Sequence, residues 1–319
     1  MTGGDVRAER ADRADDEQAG RVDHAERAGT EVILPLDEWL DRAEAHARRA
    51  DALCADHLAR RSRGEKHPVW DFLFEYYPVR PGTLRRWSPG LGVALAGADD
   101  PRAAEHLAHL RDFRVGGDGI ARLDHAAHAE RRGEAISYIA DLLAGTLAND
   151  AHFDCFGLHE WAMVYRADEK RHAVPLRLGR SGTDDVVDKH RVRCTHYDAY
   201  RFFTPDAVPL NENRPTRATQ SSCEQAGCLH ANMDLYKWAT KLGPLVPGEL
   251  WLDAFELARD VRRLDMEASP YDLADHGFAP VRIETPDGKA EYVARQRELA
   301  ERAAPIRTEL LRLARSFPG

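Results

Sequence analysis

LDEWLDRAEAHARRADALCADHLARRSRG, residues 36–64, carries its apolar side chains at Leu36, Trp39, Leu40, Ala43, Ala47, Ala50, Leu53, Cys54 and Leu58. Steps of three and four residues are the period of an amphipathic helix, so one face of this stretch is built to lie on a core. Gly64 marks its end. The same period returns in Ala135, Ile136, Ile139, Leu142, Leu143 and Leu147, in Leu250, Ala254, Leu257, Val261 and Leu264, and in Tyr292, Leu299, Ile306 and Leu310. Helices are therefore expected over His125–Leu147, around 250–264 and from about Lys289 to Ser316. CLHANMDLYKWATKL (228–242) also reads as helical, stopped by Gly243, Pro244 and Pro247.

Between these helices the pattern changes. KHPVWDFLFEYYPVRPGTLRRWSPG (66–90) predicts a short buried helix running into a proline-braced loop. LGVALAG (91–97) and FRVGGDGIARLD (113–124), the second with a Gly-Gly-Asp-Gly centre, predict a small β excursion with a hairpin. HFDCFGLHEWAMVYR (152–166) and HRVRCTHYDAYRFF (190–203) fit short strands or short helices, and LRLGRSGTDD (176–185) reads as a linker between them. Residues 1–30 hold almost no large apolar side chain and charges of both signs, the composition of a disordered tail ending near Glu31. The expected architecture is mainly α (α+β): that tail, then a single helical domain over 32–319 with a small β element. No internal repeat is present, which disfavours a solenoid.

The 319-residue chain has 45 Lys and Arg against 54 Asp and Glu, a formal charge of -9. That balance argues against a non-specific nucleic-acid coat, though it leaves room for a local basic cleft. No run reaches the roughly 20 apolar residues of a bilayer span, and no apolar leader follows the N-terminal charges, so a cytoplasmic protein without a membrane partner is expected. Five irregularly spaced cysteines read as free, buried thiols.

Chemistry-bearing side chains crowd into three segments. His159 and Glu160 lie in the first; His196, Tyr197, Asp198, Tyr200 and Arg201 in the second; Glu224, His230, Asp234, Tyr236, Lys237 and Trp238 in the third. If CTHYDAYR is extended, His196, Asp198 and Tyr200 share a face; if helical, His196 and Tyr200 do. His230, Asp234 and Lys237 fall at intervals of four and three, which sets an imidazole, a carboxylate and an ammonium on one helical stripe. The expected catalytic set is His159, Glu160, His196, Asp198, Glu224, His230, Asp234 and Lys237, lining one cavity. An ion-paired helix face beside a core stripe accounts for the third segment equally well.

A metal set from Cys194, His196, Cys223, Cys228 and His230 has poor spacing and lacks any CxxC or HExxH signature. No cofactor is expected, with zinc or iron left open. Lys66, Arg80, Arg85 and Arg86, interleaved with Trp70, Tyr76, Tyr77 and Trp87, form a second candidate region, since aromatics stack bases and arginines hold phosphates, although a core helix and a proline-braced loop with solvated arginines is the favoured account of the stretch.

Through GEKHPVWDFLFEYYPVRPGTLRRWSPGLGVAL, CFGLHEWAMVYR, THYDAYRFFTP, EQAGCLHANMDLYKWATKL and LDMEASPYDL, the chain resembles a bacterial family, frequent in actinobacteria, labelled 3-methyladenine DNA glycosylase. The likeness runs from about Leu34 to the C-terminus. It implies a DNA-repair hydrolase of base excision, an N-glycosylase removing alkylated purines from damaged DNA. The helix-hairpin-helix signature of characterised helical glycosylases is missing, so no catalytic residue carries over by motif. An alkylated purine is a cation and already a good leaving group. The implied enzyme needs aromatic faces for the flipped base, offered by Tyr197, Tyr200, Tyr236 and Trp238, and a carboxylate at the sugar, offered by Asp198, Asp234 or Glu160. The competing class is a small-molecule enzyme, with or without a metal, with a His/Asp/Glu/Tyr pocket and no DNA role. A non-catalytic binding module ranks below both.

Overall fold

Helix α1, Leu36–Ser62, buries Trp39, Ala43, Ala50 and Cys54 of the expected stripe together with His46, while Leu58 at the end of that stripe is exposed. Asp37 and Glu38 in its first turn and Arg60 and Arg61 in its last oppose the helix dipole. The Trp39 indole N–H donates to the Ala96 carbonyl (3.0 Å) and His46 Nε2 meets the Leu84 carbonyl (2.8 Å), so α1 is pinned across the loop region that follows it. This computed structural model describes residues 31–167 and 174–317. The tail expected over 1–30 lies outside them.

The protein is mainly α with one small sheet of four three-residue strands, β1 Val32–Leu34, β2 Val93–Leu95, β3 Phe113–Val115 and β4 Ala121–Leu123. Their order is β1-β2-β4-β3, with β1 parallel to β2 and the other pairs antiparallel. The Gly-Gly-Asp-Gly stretch closes the β3–β4 hairpin as expected, with Gly119 at φ +70°, a conformation that excludes most side chains. β1 was not expected: it is short and follows directly on residues 1–30, and only its parallel pairing with β2 defines it.

The remaining labelled helices are α2 Phe72–Glu75, α3 His125–Ala148, α4 Leu158–Ala162, α5 Gly179–Asp188, α6 Tyr197–Tyr200, α7 Leu229–Met233, α8 Leu235–Leu242, α9 Gly248–Glu267 and α10 Pro286–Ser316. The central aromatic runs are thus short helices and loops rather than paired strands, and α5 occupies the stretch read as a linker. Thr183 and Val186–Val187 explain α5: they put a buried face on a segment whose glycines suggested a loop. The stretch 228–242 is two abutting helices with Asp234 at their junction.

α3, α7, α8, α9 and α10 pack together around the main core, which also takes in Trp39, Trp87, Trp161 and Trp238, all nearly inaccessible to solvent. Replacing any of these tryptophans with alanine would cost about 3–5 kcal/mol. Thr285 caps α10 through its hydroxyl, and Pro286 sits in the first turn where a missing N–H is harmless. Gly145 lets α3 touch the short helix Gln220–Cys223, because a Cβ there would stand 2.3 Å from the Ser221 carbonyl oxygen. Asn149 then donates to the Ser221 and Glu224 carbonyls (3.0 and 2.8 Å), which fixes Glu224 against the core.

Candidate active site

Three local devices carry the three polar segments to one place. The Trp161 indole N–H donates to the Ala268 carbonyl (2.9 Å), tying α4 to the end of α9. Asn211 clamps the chain before α6, accepting from the Cys194 N–H (2.7 Å) and donating to the Cys194 carbonyl (3.0 Å). Gln296 of α10 donates to the Gly227 carbonyl (2.7 Å) and so seats the start of α7. The eight expected catalytic residues consequently form one continuous buried network of two clusters.

In the first cluster, His159 Nε2 lies 2.8 Å from Asp265 Oδ1, and its Nδ1 lies 3.6 Å from Cys155 Sγ. Asp265 Oδ2 accepts from Arg262 Nη1 at 2.9 Å, and the same Nη1 stands 3.7 Å from Glu160. In the second, His196 has Glu224 at 2.9 Å from Nδ1 and Asp234 at 3.6 Å from Nε2. Lys237 Nζ donates to Asp198 (2.6 Å) and Asp234 (2.9 Å), and the Tyr77 hydroxyl donates to Asp234 Oδ1 (2.8 Å). His230 joins the clusters, its ring 4.4 Å from that of His159 and 5.4 Å from that of His196.

Burial and charge oppose each other at every group. Burial alone would lower His159, but the bonded Asp265 carboxylate holds its pKa well above the ordinary value. His196 is likewise raised against burial, by Glu224 and then Asp234. His230 has no such anion in contact, and burial followed by the charge of His159 pushes it well below the ordinary value. Burial would raise Asp198, yet Lys237 holds it low; burial would lower Lys237, yet Asp234 and Asp198 hold it high. A proton store of this kind, with neighbouring imidazoles pushed in opposite directions, is suited to acid–base chemistry.

A cavity of ≈ 700 Å³ adjoins the network, lined by Phe72 and Tyr76, stacked at 4.8 Å, with His67, Lys66, Arg262 and the carboxylates of Asp71, Glu75, Asp272 and Asp275. Two of its walls lead into the network: Arg262 through Asp265, and Tyr76, whose phenol is pushed up to about 12 by burial and then by Asp234. Of the eight expected residues, His159 and His230 border a second cavity of only ≈ 10 Å³. The charges of the eight are satisfied mainly by each other, which packs them together instead of exposing them.

Other expectations separate. Tyr236 and Trp238 are core residues, 0% and 1% exposed, and cannot stack a base; Tyr236 packs on Tyr77 and Phe255. Tyr197 and Tyr200 are half-buried on α6 beside Asp198, and Arg201 reaches Asp198 at 3.2 Å. Lys66 lines the large cavity, whereas Trp87 is buried with its indole N–H on Glu249, Arg85 pairs with Asp51 and Arg86 is exposed, so the basic-aromatic stretch is not one surface. All five cysteines are free, two of them buried and three half-buried. The metal set weighed from them does not converge: among the described residues, the groups with ligand-forming atoms drawn together are His159, Glu160, His230 and Asp265, and His196, Asp198 and Asp234.

Asp265, Arg262, Tyr77 and Cys155 were not anticipated. Arg262 and Asp265 stand three apart on α9, a spacing that reads as a solvent-facing ion pair; the signal against that reading was that each directly follows a residue of the apolar stripe, Val261 and Leu264. No family model, curated protein or solved structure matches this chain.

Proposed function

We propose that this protein is an enzyme acting on a small organic cation, the ≈ 700 Å³ cavity holding the substrate and the buried His/Asp/Glu/Lys network supplying acid–base and electrostatic catalysis. The observation that carries the reading is the cavity wall: the Tyr76 ring stacked on Phe72, whose own ring holds the Arg262 guanidinium at 4.1 Å, and Glu75, Asp272 and Asp275 without an ion-pair partner among the described residues, facing Lys66, the single lysine of that wall. Aromatic faces and carboxylates attract cations, and the volume suits one small molecule. The same carboxylates would repel the phosphates of duplex DNA.

The family resemblance supports the same substrate class from another direction, because an N-alkylated purine is a cation. Its nucleoside is the first candidate. Hydrolysis of its glycosidic bond requires little protonation of the leaving base; it requires negative charge near the sugar and an activated water. Arg262 lines the cavity and bonds Asp265, and Tyr76 lines it within the field of Asp234. Excision from DNA, as the family label has it, is the second reading and the same assay separates the two. Purified protein is given N-methylated purine nucleosides and, in parallel, alkylated duplex DNA, and released base is quantified. Release from nucleosides supports the proposal. Release from DNA alone, with binding that weakens steeply as salt rises, overturns it in favour of DNA repair.

A further inference from the structure

We propose that Cys155 is a nucleophilic thiol that hydrogen peroxide oxidises to a sulfenic acid, with His159 as its proton partner and Asp265 as the group that orients His159. Cys155 Sγ lies 3.6 Å from His159 Nδ1, and the opposite ring nitrogen, Nε2, lies 2.8 Å from Asp265 Oδ1. Arg262 donates to the second oxygen of that carboxylate at 2.9 Å and fixes it in place. A nucleophile, an imidazole and a carboxylate in this order are the arrangement that readies a side chain for attack.

The local chain builds the contact. α4 is entered through Phe156 and Gly157, both left-handed at φ +49° and +69°, and this turn sets Cys155 across from His159. For a phenylalanine that conformation is sparsely populated and persists only where the surrounding structure holds it. Cys155 is half-buried, so solvent reaches its sulfur. Two other thiols, Cys194 and Cys228, border the same small cavity, but burial pushes the first well above its ordinary value and the second up to about 12. The thiolate is the attacking form, so those two are kept inert. Burial alone would lower His159 as well, yet Asp265, and after it Cys155, hold the imidazole protonated.

The space beside Cys155 and His159 is ≈ 10 Å³, about that of one water molecule. It excludes an ester or a peptide and suits a reactant of two heavy atoms. His159 Nδ1–H donates to the thiolate; the sulfur attacks one peroxide oxygen, an S–O bond forms and the O–O bond breaks. The departing hydroxide takes the His159 proton and leaves as water. One thiol is oxidised to a sulfenic acid for each peroxide reduced. This chemistry goes beyond cation turnover, and its test uses no nucleoside, so either can fail without the other.

The full chain is exposed to equimolar hydrogen peroxide with dimedone present, and the adducts are located by peptide mass spectrometry. Cys155 should be labelled at least about tenfold faster than Cys223, a half-buried thiol without an imidazole contact among the described residues, and unfolding in urea should erase that difference. His159→Gln should slow labelling of Cys155 about tenfold or more. If that variant fails to fold, the ratio of Cys155 to Cys223 in the folded and unfolded wild-type protein decides by itself. The proposal is overturned if Cys155 gains no adduct, if Cys223 reacts as fast, if the ratio persists in urea, or if folded His159→Gln reacts at the wild-type rate.

Discussion

The two buried clusters have nearly the same parts list and opposite internal economies. Around His196 the carboxylates of Asp198 and Asp234 are held by the protein's own Lys237 ammonium at 2.6 and 2.9 Å. Around His159 the partner of Asp265 is an imidazole, Arg262 stays on the outer oxygen, and His230 beside it has no hydrogen bond among the described residues. One cluster closes on its lysine, while the other includes, in His230, an imidazole without a hydrogen bond among the described residues. The contrast shows why residue composition does not separate a structural ion network from a reactive one: the difference lies in which groups are saturated. Removing a partner should therefore hurt the closed cluster in stability and the open one in function.

The largest effect is expected for Lys237→Met. Asp234, whose side chain is 2% exposed, would keep its charge without its ammonium, a loss of about 3–5 kcal/mol by urea unfolding. Combining it with Asp234→Asn should recover part of that loss. A drop under about 1 kcal/mol would mean that the closed cluster is not held by its lysine.

Asp198→Asn comes next. Asp198 is at the rim of the same cluster, with its side chain 13% exposed, and Lys237 retains Asp234 in the variant, so the cost should be about 1.5–3 kcal/mol. If its carboxylate also serves catalysis, turnover should fall at least about a hundredfold, beyond what the lost folded fraction explains. Unchanged turnover would make Asp198 a purely structural partner of Lys237.

The helices were legible in the sequence because a stripe such as Trp39, Ala43, His46, Ala50 and Cys54 is a local property of spacing. The site was legible as a residue list, since His, Asp, Glu and Lys crowd three short segments, but not as geometry. Asp265 and Arg262 were invisible because an i,i+3 pair on a helix carries no mark of burial until α4 and α7 cover it. Aromatic roles inverted for a related reason: Trp238 and Tyr236 fill the core while Phe72 and Tyr76 face the cavity, and sequence alone gives both pairs the same apolar surface. β1 depended on a partner some sixty residues away.

The smallest effect contrasts the network with histidines outside it. Burial, followed for His67 by Arg60 and for His106 by His109, pushes both down to about 4 from an ordinary 6.5. Below pH 6.5 the unfolded chain takes up protons that the folded one refuses, so this stability is full above 6.5 and is lost as pH falls toward 4. His159 and His196, with raised values, act in the opposite sense: their contribution is fully present below 6.5 and lost as pH rises through their folded values. They cannot offset the acid loss. Melting temperature should fall between pH 6.5 and 4, and His106→Gln should flatten that limb. A limb unchanged in the variant would remove His106 from the explanation.

The central claim, that the aromatic and acidic cavity over this network receives a small cation, is tested most directly by calorimetry. An N-methylated purine nucleoside cation and its unmethylated neutral counterpart are titrated into the same protein. The cation should bind at least about tenfold tighter, about 1.4 kcal/mol, and Phe72→Ala or Asp272→Asn should shrink that preference. Equal affinity for the two nucleosides, or a preference that both variants leave intact, would contradict it.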